Sequence, residues 1–121
     1  MIYKQNYIVK SNDTAQQFTS GSLAVYATPA MIALMENTST KAINDLDENF
    51  TTVGIEINAK HLKASLVGEE LTCTAELVGK NGRMYDFYIE VINAKGDKIG
   101  TATHKRAAVN AVEFMKKLEE K

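Results

Sequence analysis

Three side chains in the first half of this chain could together activate a water or a hydroxyl for attack on a carbonyl: Thr28, Glu36 and His61. A hydroxyl, a carboxylate and an imidazole are groups that serve general acid–base and nucleophilic catalysis. His61 is one of only two histidines, and histidine titrates nearest to neutral pH. The three residues therefore define a candidate catalytic set, provided that the fold brings them together.

The first two of these residues lie in a predicted helix. Thr28 followed by Pro29 is typical of a helix start, because the threonine oxygen can cap free amides and proline is tolerated in the first turn. The helix is predicted to run from Pro29 to about Asp45. Its apolar stripe consists of Met31, Met35, Ala42 and Leu46, widened by Ile32, Leu34 and Ile43. Glu36 lies at the border of this stripe, where a solvated glutamate is the simpler interpretation.

His61 lies in a predicted strand. Apolar residues alternate with other residues from Val53 to Ala59, which predicts one buried face. The apolar positions then shift by one residue, to Leu62, Ala64 and Leu66, and such a change of phase predicts a bulge or bend at His61. A structural histidine is the simpler interpretation of His61, as a capping role is of Thr28. Gly54 in the same strand could be a bulge or a close helix contact.

The remaining elements predict an α+β fold in a single domain over residues 1–121. A first strand is predicted over residues 2–10, a turn or short helix over 13–19, antiparallel sheet as far as residue 109, and a short helix from Asn110 to Lys121. One long helix covers only part of a sheet of four or five strands. A second copy of the chain is therefore expected to cover the remaining apolar surface in a symmetric dimer.

The composition argues against several classes of function. A net charge of −1, with acidic and basic residues interspersed, gives no field for nucleic acid or a membrane surface. There is no signal-like start and no run of 18 apolar residues, so the cytoplasm is the expected compartment. Cys73 is the only cysteine and has the pattern of a small core residue. His61 and His104 lack the spacing of a metal site, and we expect no metal.

Several short motifs, in their order along nearly the whole chain, resemble the hotdog-fold thioesterases of the fluoroacetyl-CoA thioesterase type. The motifs are Ser20–Ser22, Val25–Pro29, Leu34–Glu36, Thr52–Gly54, Lys60–Ala64, Gly68 and Gly100–Arg106. Each motif alone is weak, but their order and spacing together are fairly specific.

The resemblance implies a central helix wrapped by a curved antiparallel sheet, dimeric assembly, and hydrolysis of an acyl-CoA thioester at the subunit interface without a cofactor. By motif, it implies that Thr28, Glu36 and His61 are the catalytic residues and that the backbone of Gly54 lies against the thioester. The fluoroacetate-resistance enzyme has a shielding aromatic residue shortly before its Ala-Thr segment, where this chain has Gly21–Ser22. The fluoroacetyl preference is therefore not carried over.

Helix geometry adds a constraint to this assignment. Thr28 and Glu36 are eight residues apart, which is about 12 Å along a helix axis. Their side chains should not meet within one subunit, so we predict a composite site completed by the second subunit. Glu36 would act as general base on a water or as nucleophile through an anhydride. Thr28 would hydrogen-bond the reacting groups, and His61 would assist departure of the thiolate.

The last strand supplies candidate substrate contacts. Lys105 and Arg106 are candidates for the CoA phosphates, as are Lys80 and Arg83, because a near-neutral protein needs local cations to hold phosphate. His104 is interpreted as structural or close to the substrate.

Two other classes of function remain open. The domain could bind acyl-CoA without turnover, as a sensor, or it could be a hotdog dehydratase or hydratase. The expected partners are an acyl-CoA and a second copy of the chain, as a homodimer or higher homo-oligomer, with neither nucleic acid nor membrane.

Overall fold

The computed structural model describes residues 1–120 and contains five strands, two α-helices and a short 3₁₀ turn. The elements are β1 (Ile2–Ile8), the 3₁₀ turn (Ser11–Asp13), α1 (Thr28–Ala42), β2 (Phe50–His61), β3 (Glu70–Asn81), β4 (Met84–Asn93), β5 (Lys98–Asn110) and α2 (Ala111–Glu119). The predicted order of elements is thus observed. The last residue of the predicted C-terminal helix, Lys121, lies outside the described residues.

The strands form one antiparallel sheet in the order β1-β3-β4-β5-β2, and α1 packs against one face of it. This is the predicted α+β arrangement of a long helix on an antiparallel sheet. The strands β1 and β2 are the two edges of the sheet. Since β2 pairs only with β5 among the described strands, its outer edge carries free backbone groups.

The core lies between α1 and the sheet face that it covers. Alternate residues of β3, β4 and β5 point into it, as the two-residue period of a strand requires. The fully buried core side chains include Met31, Met35, Leu71, Cys73, Ala75, Phe87, Ile89, Val91 and Ile99. Cys73 is therefore a core residue as predicted, and burial raises the pKa of its thiol to about 11.

Both ends of α1 differ from the prediction. Ala27 is the N-cap residue, and Thr28 is the first residue of the helix with no capping hydrogen bond from its side chain. The predicted capping role of Thr28 is therefore wrong, and its hydroxyl is available for other contacts. At the other end the helix stops at Ala42 rather than near Asp45. Asp45 instead accepts hydrogen bonds from Tyr85 and Lys80, which tie the following loop to the sheet.

The irregularity of β2 also lies at a different place than predicted. The register between β2 and β5 shifts between Gly54 and Glu56, while His61 is simply the last residue of the strand. The apolar alternation predicted the wrong position for the bulge because β2 is an edge strand with a half-exposed face. An apolar residue in such a strand need not be buried. Ile55, the extra residue at the bulge, is indeed 49% exposed. The bulge lies beside Gly54, where α1 approaches the strand.

Two further features agree with the sequence patterns. The Asn-Gly hairpin joins β3 to β4, with Gly82 at a φ of +60°, a left-handed conformation that favours glycine. The side chain of Asn110 caps α2 by accepting a hydrogen bond from the amide of Glu113 at 3.1 Å. Within residues 1–120, no helix has the length and apolar character needed to cross a membrane.

Candidate active site

Thr28 and His61 form a direct contact at the start of α1. The hydroxyl oxygen of Thr28 lies 2.8 Å from Nδ1 of His61, which is hydrogen-bond distance. The last residue of β2 and the first residue of α1 are thus brought together, although they are distant in the chain. Because the hydroxyl makes no capping bond, this hydrogen bond is the contact that orients it. A hydroxyl bonded to an imidazole is an arrangement used to activate oxygen nucleophiles or to orient water.

The ring of His61 is held by its surroundings. The ring of Tyr26 meets it edge to face, with centroids 6.3 Å apart, and Tyr26 itself is fully buried. Burial lowers the pKa of His61, because the charged form loses solvation. The second ring nitrogen, Nε2, is also buried, and no group of residues 1–120 hydrogen-bonds to it. A buried polar atom without a partner is costly, so Nε2 is the natural contact point for a further group.

An open cleft lies in front of this pair. Its volume is about 290 Å³, and it is lined by Ala15, Ser20, Val25, Tyr26, Thr28, His61, Leu62, Lys63 and Ala64. Thr28 is exposed to this cleft, and the aliphatic residues around it provide an apolar wall. The cleft can therefore bring a small, partly apolar molecule to the Thr28 hydroxyl.

Glu36 lies in a second cluster of polar residues, where α1 meets β2 and β5. Its carboxylate oxygen Oε2 is 3.5 Å from Nη1 of Arg106 in β5, and its side chain is 41% exposed. The carboxylate also lies against Gly54, where the Cβ of any larger residue would stand 2.7 Å from Oε2. Only glycine leaves room for the carboxylate here, so Gly54 is a close-approach glycine next to the bulge.

The guanidinium of Arg106 is buried beneath Glu36. Its Nε donates to the hydroxyl of Thr52 at 2.9 Å, and its Nη2 donates to the carbonyl oxygen of Thr52 at 3.1 Å. Its Nη1 donates to Nε2 of His104 at 3.1 Å. With these donors engaged and the side chain 9% exposed, Arg106 is placed to hold the Glu36 carboxylate and does not suit the phosphate contact expected from the sequence.

The hydrogen-bond partners of His104 determine which of its ring nitrogens carries a proton. Its Nδ1 lies 2.8 Å from the carbonyl oxygen of Glu56, which can only accept, so Nδ1 carries the proton. Its Nε2 faces Arg106, which can only donate, so Nε2 is the acceptor. The ring is therefore neutral, and burial, followed by the charge of Arg106, lowers its pKa.

The candidate residues thus form two groups within the chain. Thr28 and His61 are in contact, whereas Glu36 contacts Gly54 and Arg106. Glu36 lies more than two helical turns from Thr28, about 12 Å along the axis.

Lys105, another of the expected phosphate contacts, lies on the opposite face of β5 from Arg106. Its Nζ is 3.6 Å from a carboxylate oxygen of Asp86, and its side chain is 37% exposed. This loose, exposed ion pair contributes little to stability and leaves Lys105 accessible to a ligand. Within residues 1–120, no group of three or more His, Cys, Asp or Glu side chains is arranged to hold a metal ion.

The sequence patterns gave no role to the Thr52 side chain and no definite role to His104. A usable signal was nevertheless present. His104 and Arg106 are two residues apart in a strand and share a face with Ala102 and Ala108, all of them buried. Polar side chains on a buried face need partners, which makes them informative. What the sequence could not supply was the neighbour across the sheet, Thr52.

Comparison with known proteins identifies relatives of the chain. The model of the family described as fluoroacetyl-CoA-specific thioesterase matches residues 9–112. The fluoroacetyl-CoA thioesterase of Streptantibioticus cattleyicolor is 32% identical to this chain over 98 residues, which cover 80% of the chain and 70% of that protein.

Solved structures agree with the fold. The structure of the fluoroacetyl-CoA thioesterase, at 26% identity, superposes with a TM-score of 0.93 and covers 100% of this chain and 94% of its own. A hot-dog-like protein from Thermanaerovibrio acidaminovorans, at 18% identity, has a TM-score of 0.89 and covers 99% of this chain and 89% of its own. The predicted hotdog fold is thereby confirmed.

Proposed function

This chain belongs to the fluoroacetyl-CoA-specific thioesterase family, and from that premise we propose that it hydrolyses an acyl-CoA thioester to the free acid and CoA at a site shared by two subunits. The observation that carries the proposal is the hydrogen bond between the Thr28 hydroxyl and His61 beside an open cleft. It provides an oriented hydroxyl and an imidazole at one end of α1, while the third member of the set, Glu36, stands further along the same helix.

Each of the three residues has a role in this reaction. Glu36 acts either as the base that removes a proton from water or as the nucleophile that forms an anhydride, which water then opens. Thr28, in the first turn of α1 next to its free amides, hydrogen-bonds the water or the developing oxyanion. His61, with Nε2 free of partners among residues 1–120, assists departure of the CoA thiolate. The products are the carboxylic acid and the thiol.

The separation of the two clusters supports the composite arrangement. Both clusters border β2: Gly54 lies under Glu36 and His61 ends the strand. The outer edge of β2 carries free backbone groups, which a second β2 can pair with in an antiparallel manner about a two-fold axis. Such pairing brings His61 of one subunit towards Gly54 and Glu36 of the other. The exposed Ile55 would then be covered.

Substrate contacts are proposed on the same basis. The backbone at Gly54 has no side chain of its own and lies next to the Glu36 carboxylate, so a flat thioester can approach it closely. Lys105 remains the candidate cation for a CoA phosphate, because its side chain is partly exposed. Arg106, which is buried under Glu36, takes a positioning role instead.

The acyl group is proposed only as a class. Near the cleft this chain has Gly21–Ser22 and no aromatic side chain at those positions, and both residues are exposed. The opening in front of Thr28 is therefore less shielded than an aromatic residue would make it. Short or branched acyl groups larger than fluoroacetyl fit a cleft of about 290 Å³.

The test is thiol release from a panel of short, branched and aromatic acyl-CoA substrates. We expect turnover of at least one substrate by the parent protein, and a loss of about 100-fold or more in kcat for Glu36→Gln and His61→Asn, as for other acid–base residues. Glu48→Gln, in the exposed loop before β2, is the matched control and should retain activity. Normal hydrolysis by both site variants would refute the assignment. Tight CoA binding without turnover of any substrate would favour an acyl-CoA sensor.

A further inference from the structure

The buried polar side chains on the inner face of β5 form one connected chain that ends at the Glu36 carboxylate. The chain runs from the Glu56 carbonyl through His104 to Arg106, and from Arg106 to Glu36, with Thr52 on the other side of the guanidinium. His104 and Arg106 are 3% and 7% exposed, so these bonds are shielded from water. Buried hydrogen bonds of this kind restrict the positions that a charged side chain can take.

We propose that His104 is a positioning residue for the hydrolytic reaction: by accepting a hydrogen bond from Arg106, it fixes the guanidinium that holds the Glu36 carboxylate over Gly54. The inference rests on the proposed function, since it assumes that Glu36 acts in the reaction. His104 itself does not line the cleft beside Thr28, and both of its ring nitrogens already have partners.

Two contacts determine the orientation of the guanidinium. Thr52 accepts from Nε and Nη2 on one side, and His104 accepts from Nη1 on the other. Nη1 is also the atom that faces Glu36, at 3.5 Å. Without the acceptor at His104, the Glu36 carboxylate is the one remaining partner of Nη1 among the described residues. The guanidinium is then held from the Thr52 side alone, and Nη1 is placed less firmly against the carboxylate.

The anchor of His104 is the backbone bulge of β2. The carbonyl oxygen of Glu56, the residue after the extra residue of the bulge, accepts from Nδ1 at 2.8 Å. In a regular strand the carbonyl groups lie in the plane of the sheet, whereas this one accepts from a side chain. Bulges re-aim groups in this way near functional sites. The bulge therefore supports two residues of this chain of contacts. It anchors His104 through the Glu56 carbonyl, and it lies next to Gly54 beneath the Glu36 carboxylate.

Two substitutions at His104 separate the roles of its nitrogens. In His104→Gln the amide oxygen reaches the position of Nε2 and can accept from Arg106, but the donor to Glu56 is lost. In His104→Asn the amide nitrogen can donate to Glu56, but the acceptor for Arg106 is lost. Both are polar, smaller than or similar to histidine, and both lose one buried hydrogen bond, so they form a matched pair.

The proposal expects a specific difference between them. His104→Asn lowers kcat by about 10- to 100-fold, the range for loss of one hydrogen bond to a charged group, with KM for the acyl-CoA changed by less than about threefold. His104→Gln, which keeps an acceptor for Arg106, retains kcat within about threefold.

Thr52→Val provides a second route to the same test if His104→Asn folds poorly. It removes the hydroxyl acceptor from the other side of the guanidinium at nearly constant side-chain volume. We expect a smaller fall in kcat than in His104→Asn, again with KM for the acyl-CoA changed by less than about threefold, because the Thr52 carbonyl still accepts from Nη2.

The outcomes separate this inference from the proposed function. If Glu36→Gln abolishes thiol release while His104→Asn and Thr52→Val leave kcat unchanged, the positioning role is overturned and the proposed function stands. Equal losses of kcat in His104→Asn and His104→Gln that follow a fall in Tm also overturn it in favour of a purely structural histidine. If Glu36→Gln itself retains full activity, the proposed function fails first.

Discussion

The Thr28 hydroxyl lies 2.8 Å from Nδ1 of His61, and this contact joins the first residue of α1 to the last residue of β2. Thr28 was expected to cap the helix, but Ala27 has that position and the hydroxyl turns to the imidazole. A hydroxyl that is not needed to cap the helix start, and that is held by a half-buried histidine beside an open cleft, is available for chemistry.

Removing the Thr28 hydroxyl should impair turnover without unfolding the protein. Thr28→Val, which keeps the shape of the side chain, is expected to lower kcat for an acyl-CoA by about 100-fold, whereas Thr28→Ser should stay within about fivefold. Steady-state thiol release measures both. Thr40→Val, near the exposed end of the same helix, is the control and should behave as the parent. Parent-like kcat in Thr28→Val would exclude a role for the hydroxyl.

A methyl group at Gly54 should displace the Glu36 carboxylate. The new Cβ would stand 2.7 Å from Oε2 of Glu36 and 3.1 Å from Nη1 of Arg106. The carboxylate is the end of a flexible side chain and can move, but the buried Arg106 and His104, whose Cε1 would be 3.3 Å away, have less room, so we expect a fall of about 1–3 kcal/mol in the free energy of unfolding. The fall in kcat should nevertheless reach about 100-fold, because the base is misplaced.

Gly79→Ala is the matched control for this substitution. Gly79 also lies at a register shift, in β3, and its Cβ would make ordinary contacts of 3.5 Å or more with Asp86. The kcat of the Gly79→Ala protein and the midpoint of its urea unfolding should both match those of the parent. A Gly54→Ala protein with parent-like turnover would mean that the position of the Glu36 carboxylate does not matter for the reaction.

The composite site can be tested by mixing inactive variants. A hybrid of Glu36→Gln and His61→Asn subunits has one site in which both residues are intact, if each site takes Glu36 from one subunit and His61 from the other. Random reassociation makes about half of the dimers hybrids, and each hybrid has one of its two sites intact. About a quarter of the parent activity should therefore return. Co-expression or refolding of mixed chains, followed by thiol release, measures this.

The control for the mixing experiment is a second pair of variants. Thr28→Val and His61→Asn affect residues that contact each other within one subunit. Their hybrid has no site with both residues intact, and it should remain as inactive as either parent variant. Restoration of activity in this pair, or none in the first pair, would contradict the proposed sharing of residues between subunits.

Acid should destabilise the fold through its two histidines. Burial lowers the pKa of both His61 and His104 below the ordinary value of 6.5. The unfolded chain therefore binds more protons than the folded one below that pH, so the free energy of unfolding is highest above pH 6.5 and falls as the pH drops. Urea unfolding at pH 7.5, 6.5 and 5.5 should show this decline.

The histidine origin of this decline has its own check. The variants His61→Asn and His104→Asn cannot be protonated in this range, so each should show a flatter dependence of the unfolding free energy on pH than the parent. Their absolute stabilities at pH 7.5 can differ from the parent, but the slope is what tests the prediction. An unchanged slope in both variants would assign the acid sensitivity to other groups.

Cys73 should be unreactive in the folded protein. Its side chain is fully buried in the core, and its raised pKa leaves almost no thiolate at neutral pH. An aromatic disulfide reagent should modify less than about a tenth of the Cys73 thiols in the native protein over the time in which the urea-unfolded protein reacts completely. The aromatic thiolate that the reagent liberates measures the extent of modification. Rapid modification of the native protein would show that the β3 core opens readily.

Much of the secondary structure follows from local patterns in the sequence. Pro29 and the apolar stripe after it predict a helix, because proline fits the first turn and the stripe has a helical period. Two-residue alternation, as in Tyr85, Phe87 and Ile89, predicts strands with one buried face. These signals act over a few residues, and the structure agrees with them except at element ends and at the bulge of β2.

The sequence by itself determined the residue types of the candidate site, the α+β class and the resemblance that pointed to the family. The tertiary structure alone decided which of those residues meet. Thr28 contacts His61, which lies 33 positions further along the chain, and Arg106 turns inward to Thr52 and Glu36 instead of outward to a phosphate. Such contacts depend on strand register and on the bulge beside Gly54. Register is set by the packing of the whole sheet, which no local pattern contains.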